Sequence, residues 1–206
     1  MMMEEKFTSR TWPEEPERVT LEGRNKFIGF WLFLGGETIM FASLFATYLA
    51  LKNRGSSITA EELFNLPLVF AMTILLLTSS LTSVYAIYHM KNFHFQKMQA
   101  WFAITLLLGF GFLCLELYEF YHNVHYYGFG WTHSAFSSAY YMLVGTHGAH
   151  VLFGLCWITA LILRNAKRGL SLYTAPKYYI ASLYWHFIDV VWVFIFTVVY
   201  LMGKVG

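Results

Sequence analysis

The stretch FIGFWLFLGGETIMFASLFATYLAL, from Phe27 to Leu51, holds one acidic or basic side chain, Glu37, among apolar and small residues. A helix that crosses the hydrocarbon core of a bilayer needs about 20 predominantly apolar residues, so this stretch reads as a transmembrane helix. Four more of the same kind follow, roughly Leu66–His89, Met98–His122, Phe136–Leu163 and Tyr178–Met202. Lipid tolerates no open strand edge, so each run is a helix and the expected fold is all-α: a polytopic membrane bundle of five transmembrane helices. The connections carry loop chemistry: Lys52–Asn65 with Gly55, Ser56 and Ser57; Met90–Lys97; Asn123–Ala135 with Gly128 and Gly130; Arg164–Lys177 with Gly169 and Pro176. The organisation predicted is a polar tail over residues 1–26 and one transmembrane domain over 27–203.

Composition points the same way. Of the 206 residues, 57% are hydrophobic, 20% aromatic and only 13% charged, against about 25% charged in a soluble domain. Half of the acidic residues (Glu4, Glu5, Glu14, Glu15, Glu17 and Glu22) lie in the tail, which has no apolar core and is not read as a cleavable signal. A net charge of +2 without a basic cluster gives no reason to expect nucleic acid. Cys114 and Cys156 fall inside apolar runs and are expected to be small core residues rather than a disulfide or metal pair.

The lysines and arginines set the orientation. Lys6, Arg10, Arg18, Arg24, Lys26, Lys91, Lys97, Arg164, Lys167, Arg168 and Lys177 belong to one side of the membrane, and only Lys52, Arg54 and Lys204 to the other. The positive-inside rule therefore places the N-terminus in the cytoplasm and the C-terminus outside. Ala42, Ala46 and Ala50 repeat every four residues on the first helix, a small-residue stripe where another helix can approach closely, and Ser79 and Ser83 do the same on the second.

An ionisable side chain at mid-bilayer costs at least about 2.5–3.5 kcal/mol on insertion scales, so each one asks for a reason. Glu37 lies about 15 Å into the first helix at 1.5 Å per residue. His147 and His150 on the fourth helix and His186 and Asp189 on the fifth reach a similar depth, while Glu116 and Glu119 on the third lie nearer the outer face. The last three pairs are each three residues apart, so each pair shares a helix face, where an Asp can orient a His ring. Three readings compete. Interhelical hydrogen bonding would fix the packing. A metal or haem site is suggested only by the Glu-x-x-His of Glu119 and His122, a di-iron motif that occurs once here. A proton or ion pathway is the third, although these residues form no ladder from face to face and the chain shows no inverted repeat.

At these same residues the chain resembles a known family, subunit III of the haem-copper terminal oxidases, most closely the bacterial cytochrome c oxidase form. The resemblance rests on GFWLFLGGE from Gly29 to Glu37, FASLF from Phe41 to Phe45 and ELYEF from Glu116 to Phe120. It continues in GTHGAHV from Gly145 to Val151 and YWHFIDVVWVF from Tyr184 to Phe194. It covers about residues 20 to 203. It implies a core but redox-inert subunit of a proton-pumping, oxygen-reducing complex of the respiratory chain in the bacterial cytoplasmic membrane. The haems and the copper–haem oxygen site would lie on subunit I, and the electron-entry copper on subunit II. This chain would pack on subunit I, near subunit II and a small subunit IV, support proton uptake and sustained turnover, and hold phospholipid in a cleft. Glu37 falls at the family's intramembrane carboxylate, and His147, His150, His186 and Asp189 fall at signature positions read as scaffold and lipid-cleft residues. No catalytic, cofactor or metal-binding residue is expected on this chain. The familiar form has seven helices, and this chain begins where the third would be, so one wall of the lipid cleft is missing or supplied by another subunit. A quinol oxidase subunit is the nearest alternative, and an independent membrane metalloenzyme or transporter a more distant one.

Overall fold

In the computed structural model, the described residues are 11–52, 65–166 and 169–205. They form five long helices: α1 (Leu21–Leu51), α2 (Leu66–Lys91), α3 (Phe95–Tyr127), α4 (Ala135–Asn165) and α5 (Ala175–Ile195). A π-helical stretch, Phe196–Leu201, prolongs α5 and gives way to a last turn, Met202–Val205. All five helices are long and apolar enough to cross a membrane, with 31, 26, 33, 31 and, counting the π stretch, 27 residues. No strand occurs among the described residues. The loop residues Gly55, Ser56 and Ser57 and the charges Lys6, Arg10, Arg54, Lys167 and Arg168 lie outside them.

Local chemistry sets the helix ends. Thr20 Oγ1 accepts from the Gly23 amide at 3.0 Å, and Asn65 Oδ1 accepts from the Leu68 amide at 3.4 Å. Ser134 and Ser137 bond each other's amides at 3.0 and 2.9 Å, a reciprocal cap that starts α4. Pro67 and Pro176 occupy first-turn positions of α2 and α5, where a missing N–H costs nothing. Gly128 ends α3 in the left-handed region at φ 60°, which a Cβ would strain.

Heptad spacing governs the packing. The seam of α1 runs Phe30, Leu34, Glu37, Phe41, Leu44, Tyr48, Leu51, in steps of four and three. That of α2 runs Val69, Met72, Leu76, Ser79, Ser83, Ala86, Met90. On α3 it is Met98, Phe102, Thr105, Gly109, Phe112, Glu116, Glu119, Asn123, every member buried. A 3.5-residue repeat keeps one stripe facing its neighbours along near-parallel helices. In sequence order α2 packs on α3, α3 on α4 and α4 on α5. Helix α5 also packs on α2, and α1 lies against α4 and α5. Seam serines and threonines let helices approach and bond: Thr82 to Thr105 at 2.8 Å, Ser83 to Ser182 at 2.7 Å, and the indole N–H groups of Trp185 and Trp192 to Ser79 and Thr73 at 2.9 and 3.0 Å.

Two sequence expectations fail. Ala42, Ala46 and Ala50 are exposed, because the heptad seam turns the opposite face of α1 inward. Cys114 and Cys156 are also exposed, not in the core.

At the basic end of the bundle, the segment before α1 folds back over the helices. Glu17 is 3% exposed and pairs with Lys91 at 3.4 Å, Trp12 packs on Phe93 with ring centroids 5.0 Å apart, and Arg18 lies 4.6 Å over the Phe27 ring. Helix α1 itself begins six residues before the expected span, at Leu21.

Candidate functional site

The only polar member of the α1 seam is Glu37, and it meets α4. Its Oε2 lies 3.0 Å from His150 Nε2, and both side chains are largely buried, at 17% and 20% exposure. His150 Nδ1 bonds the Thr146 carbonyl oxygen at 2.7 Å. Tyr184 on α5 donates to the His150 carbonyl oxygen at 3.1 Å, and the Phe41 ring packs edge-on against the imidazole at 5.2 Å. Three helices thus converge on one Glu–His contact at mid-bilayer depth.

The other sequence candidates scatter around it. His147 shares the seam of α4, not the α1-facing side. Its ring stacks on Trp192 at 5.3 Å and meets Phe112 edge-on at 5.9 Å, and neither nitrogen has a hydrogen-bond partner. A separation of three residues rotates side chains by about 60° around a helix, enough to send His147 and His150 to different neighbours. His186 bonds Ser80 Oγ through Nδ1 at 2.6 Å, with Ser182 Oγ 3.4 Å from Nε2; Asp189 bonds the same Ser80, so it meets the His186 ring through a serine and not directly. Asp189 is buried with Oδ1 unbonded.

Glu116 reaches deeper than its place on α3 suggests. A Cβ on Gly148 would stand 2.6 to 2.9 Å from its carboxyl atoms, so Glu116 joins the layer of His147 and His150. Glu119 lies beyond it and accepts from Tyr200 at 2.9 Å. Its supposed motif mate His122 turns away, stacking on Tyr126 at 4.5 Å. Among the described residues, no three His, Cys, Asp or Glu side chains converge in a way that could hold a metal ion.

A groove of about 390 Å³ opens on the same α1–α4–α5 side, nearer the basic end. Phe30, Phe33, Trp157, Leu161 and Ile180 make apolar walls, and Lys26 and Lys177 stand at it, each over the Tyr173 ring, at 4.8 and 4.0 Å. Sequence reasoning missed this groove, although the lysines at both helix starts and the aromatic residues one to two turns inward were its available signal.

The family model for cytochrome c oxidase subunit III matches residues 19–204, which spans all five helices and every residue of the polar layer. The chain belongs to that family. Cytochrome c oxidase subunit 3 of Bacillus subtilis (strain 168) is 70% identical over 207 residues, covering the whole of both chains. Its counterpart from Bacillus sp. (strain PS3) is 71% identical over 208 residues, again end to end. Quinol oxidase subunit 3 of Bacillus subtilis (strain 168) is 49% identical over 185 residues, 89% of this chain and 90% of that one. A subunit III identity accords with what the residues can do chemically. They tie helices together, Glu37 on α1 to His150 on α4 and Glu119 on α3 to Tyr200.

Proposed function

We propose that this chain is subunit III, the non-redox core subunit, of a proton-pumping cytochrome c oxidase in aerobic respiratory electron transport. The observation that carries the reading is end-to-end similarity, 70% and 71%, to proteins of that name, against 49% to a quinol oxidase subunit. In this reading it is a multi-pass protein of the bacterial cytoplasmic membrane, N-terminus inside and C-terminus outside. It packs directly on subunit I, with subunit II and a small subunit IV in the same complex. Haem and copper belong to the partner subunits.

Glu37, His147, His150, His186 and Asp189 act as scaffold. The Glu37–His150 contact sets how α1 rests on α4, and Glu37 is the member with a proton-related role, since it is the carboxyl of that contact. The groove beneath it takes a phospholipid. Its apolar walls suit acyl chains, and the ammonium groups of Lys177 and of Lys26, which also pairs with Glu22, suit an anionic headgroup.

A tagged chain purified from native membrane tests this. It is expected to bring down a haem-bearing subunit I and a copper-bearing subunit II, and the complex is expected to oxidise reduced cytochrome c. Oxidation of quinol alone would transfer the chain to the quinol oxidases. Stoichiometric iron or copper on this subunit alone would overturn the scaffold reading.

A further inference from the structure

The half of the bundle away from the basic end holds a second polar cluster that neither the Glu37 contact nor the groove uses. The α3 seam turns polar there with Glu116, Glu119 and Asn123, exposed by 1%, 3% and 1%. Among the described residues, both oxygens of Glu116 and Oε1 of Glu119 receive no hydrogen bond, and Asn123 Nδ2 finds no acceptor. The donors that reach Glu119 are two tyrosines: Tyr200, whose hydroxyl meets Oε2 at 2.9 Å and lies 3.1 Å from that of Tyr140, and Tyr140 itself. Between Lys97 and Arg164 the sequence contains no lysine or arginine, so α3 and α4 bring no permanent cation to the site. On the facing stretch of α4 the basic residue is His147, next to the Gly148 that the Glu116 carboxyl approaches.

Two carboxylates one helical turn apart, buried in low dielectric with tyrosine hydroxyls on Glu119 and no donor on Glu116, cannot both stay ionised. A carboxyl pair in that position resolves the conflict by holding a proton. We propose that Glu116 and Glu119 form a proton-binding site in the interior of the bundle. Glu116 carries the proton as a neutral acid, and Glu119 remains a carboxylate held by Tyr200. Towards the basic end the site is closed by rings: Phe112 meets Trp192 at 4.7 Å, and the next seam position, Gly109, is covered by Trp185. Towards the far end the same seam continues to Asn123, within one turn of the solvent-facing His125 and Tyr126. The proton therefore exchanges by way of Asn123 with the far aqueous phase, which is the outer one in the orientation proposed above.

Infrared spectroscopy on the intact oxidase complex in lipid reads this directly, through the carbonyl stretch of a protonated carboxylic acid. Glu116→Gln is expected to abolish one such band while haem content stays at the wild-type level, and Tyr200→Phe is expected to shift it. Asn123→Leu is expected to slow its response to D2O several-fold. Should Glu116→Gln fail to assemble, Tyr200→Phe decides alone, because it removes a donor from Glu119 and leaves both carboxyls in place. A spectrum unchanged in Glu116→Gln, or a band that Tyr200→Phe leaves in place, overturns the site. An unchanged exchange rate in Asn123→Leu overturns the route.

Discussion

At His150 the two ring nitrogens have different tasks. Nδ1 faces the carbonyl oxygen of Thr146, which can only accept, so this nitrogen carries a hydrogen. Nε2 is left for the contact with Glu37 Oε2 at 3.0 Å. A glutamine can replace the acid here, since its amide N–H donates to the same nitrogen. Glu37→Gln is accordingly expected to leave assembly and haem content intact, checked by haem spectra of the purified complex. Glu37→Leu removes the bond and is expected to cost about 0.6–2 kcal/mol of bundle stability, the range of interhelical polar contacts in membranes, read by thermal unfolding in detergent. Gly148 is a sharper test. A methyl group there would stand 2.6 Å from Glu116 Oε2, so Gly148→Ala is expected to destabilise by about 1–3 kcal/mol through overpacking. Gly145, with open space around its Cβ position, is the matched control.

At the scale of the element, the five helices were legible in the sequence because length and apolar content alone decide whether a segment can cross a bilayer. The inward faces were legible too, in the heptad seams. The alanine stripe on α1 obscured this, since small residues at every fourth position match close packing and lipid exposure equally well. Ser79 and Ser83, with the same spacing on α2, are buried because their heptad partners Val69, Met72, Leu76, Ala86 and Met90 place them on the seam. The π-helical stretch Phe196–Leu201 was not legible: no proline or glycine marks it, and it follows from how α5 meets its neighbours. It brings Tyr200 onto Glu119 and Tyr140. Deleting Val198 restores α-helical spacing and turns Tyr200 by about 100°. The expected result is loss of the Glu119 contact and a lower thermal midpoint, while Val193→Ala, further up α5, serves as the control.

For the whole molecule, residues 11–20 are part of the fold. Glu17 pairs with Lys91 across the basic end, and Trp12 covers the turn that joins α2 to α3. Removing residues 1–18 is expected to loosen that end, seen as faster hydrogen exchange at residues 88–98 with the rest of the bundle unchanged. Orientation is testable by cysteine labelling: in a variant lacking Cys114 and Cys156, a cysteine at Glu14 is expected to react only from the cytoplasmic side. A reaction from the outside would invert the topology. By itself the sequence determined the number of spans and the family, because hydropathy and short motifs are local properties. The tertiary structure alone decided which polar residues meet. Spacing along a helix fixes only the direction in which a side chain leaves it. The pairing of Glu37 with His150, and the separation of His147 from His150 and of His186 from Asp189, depend on which helix stands opposite.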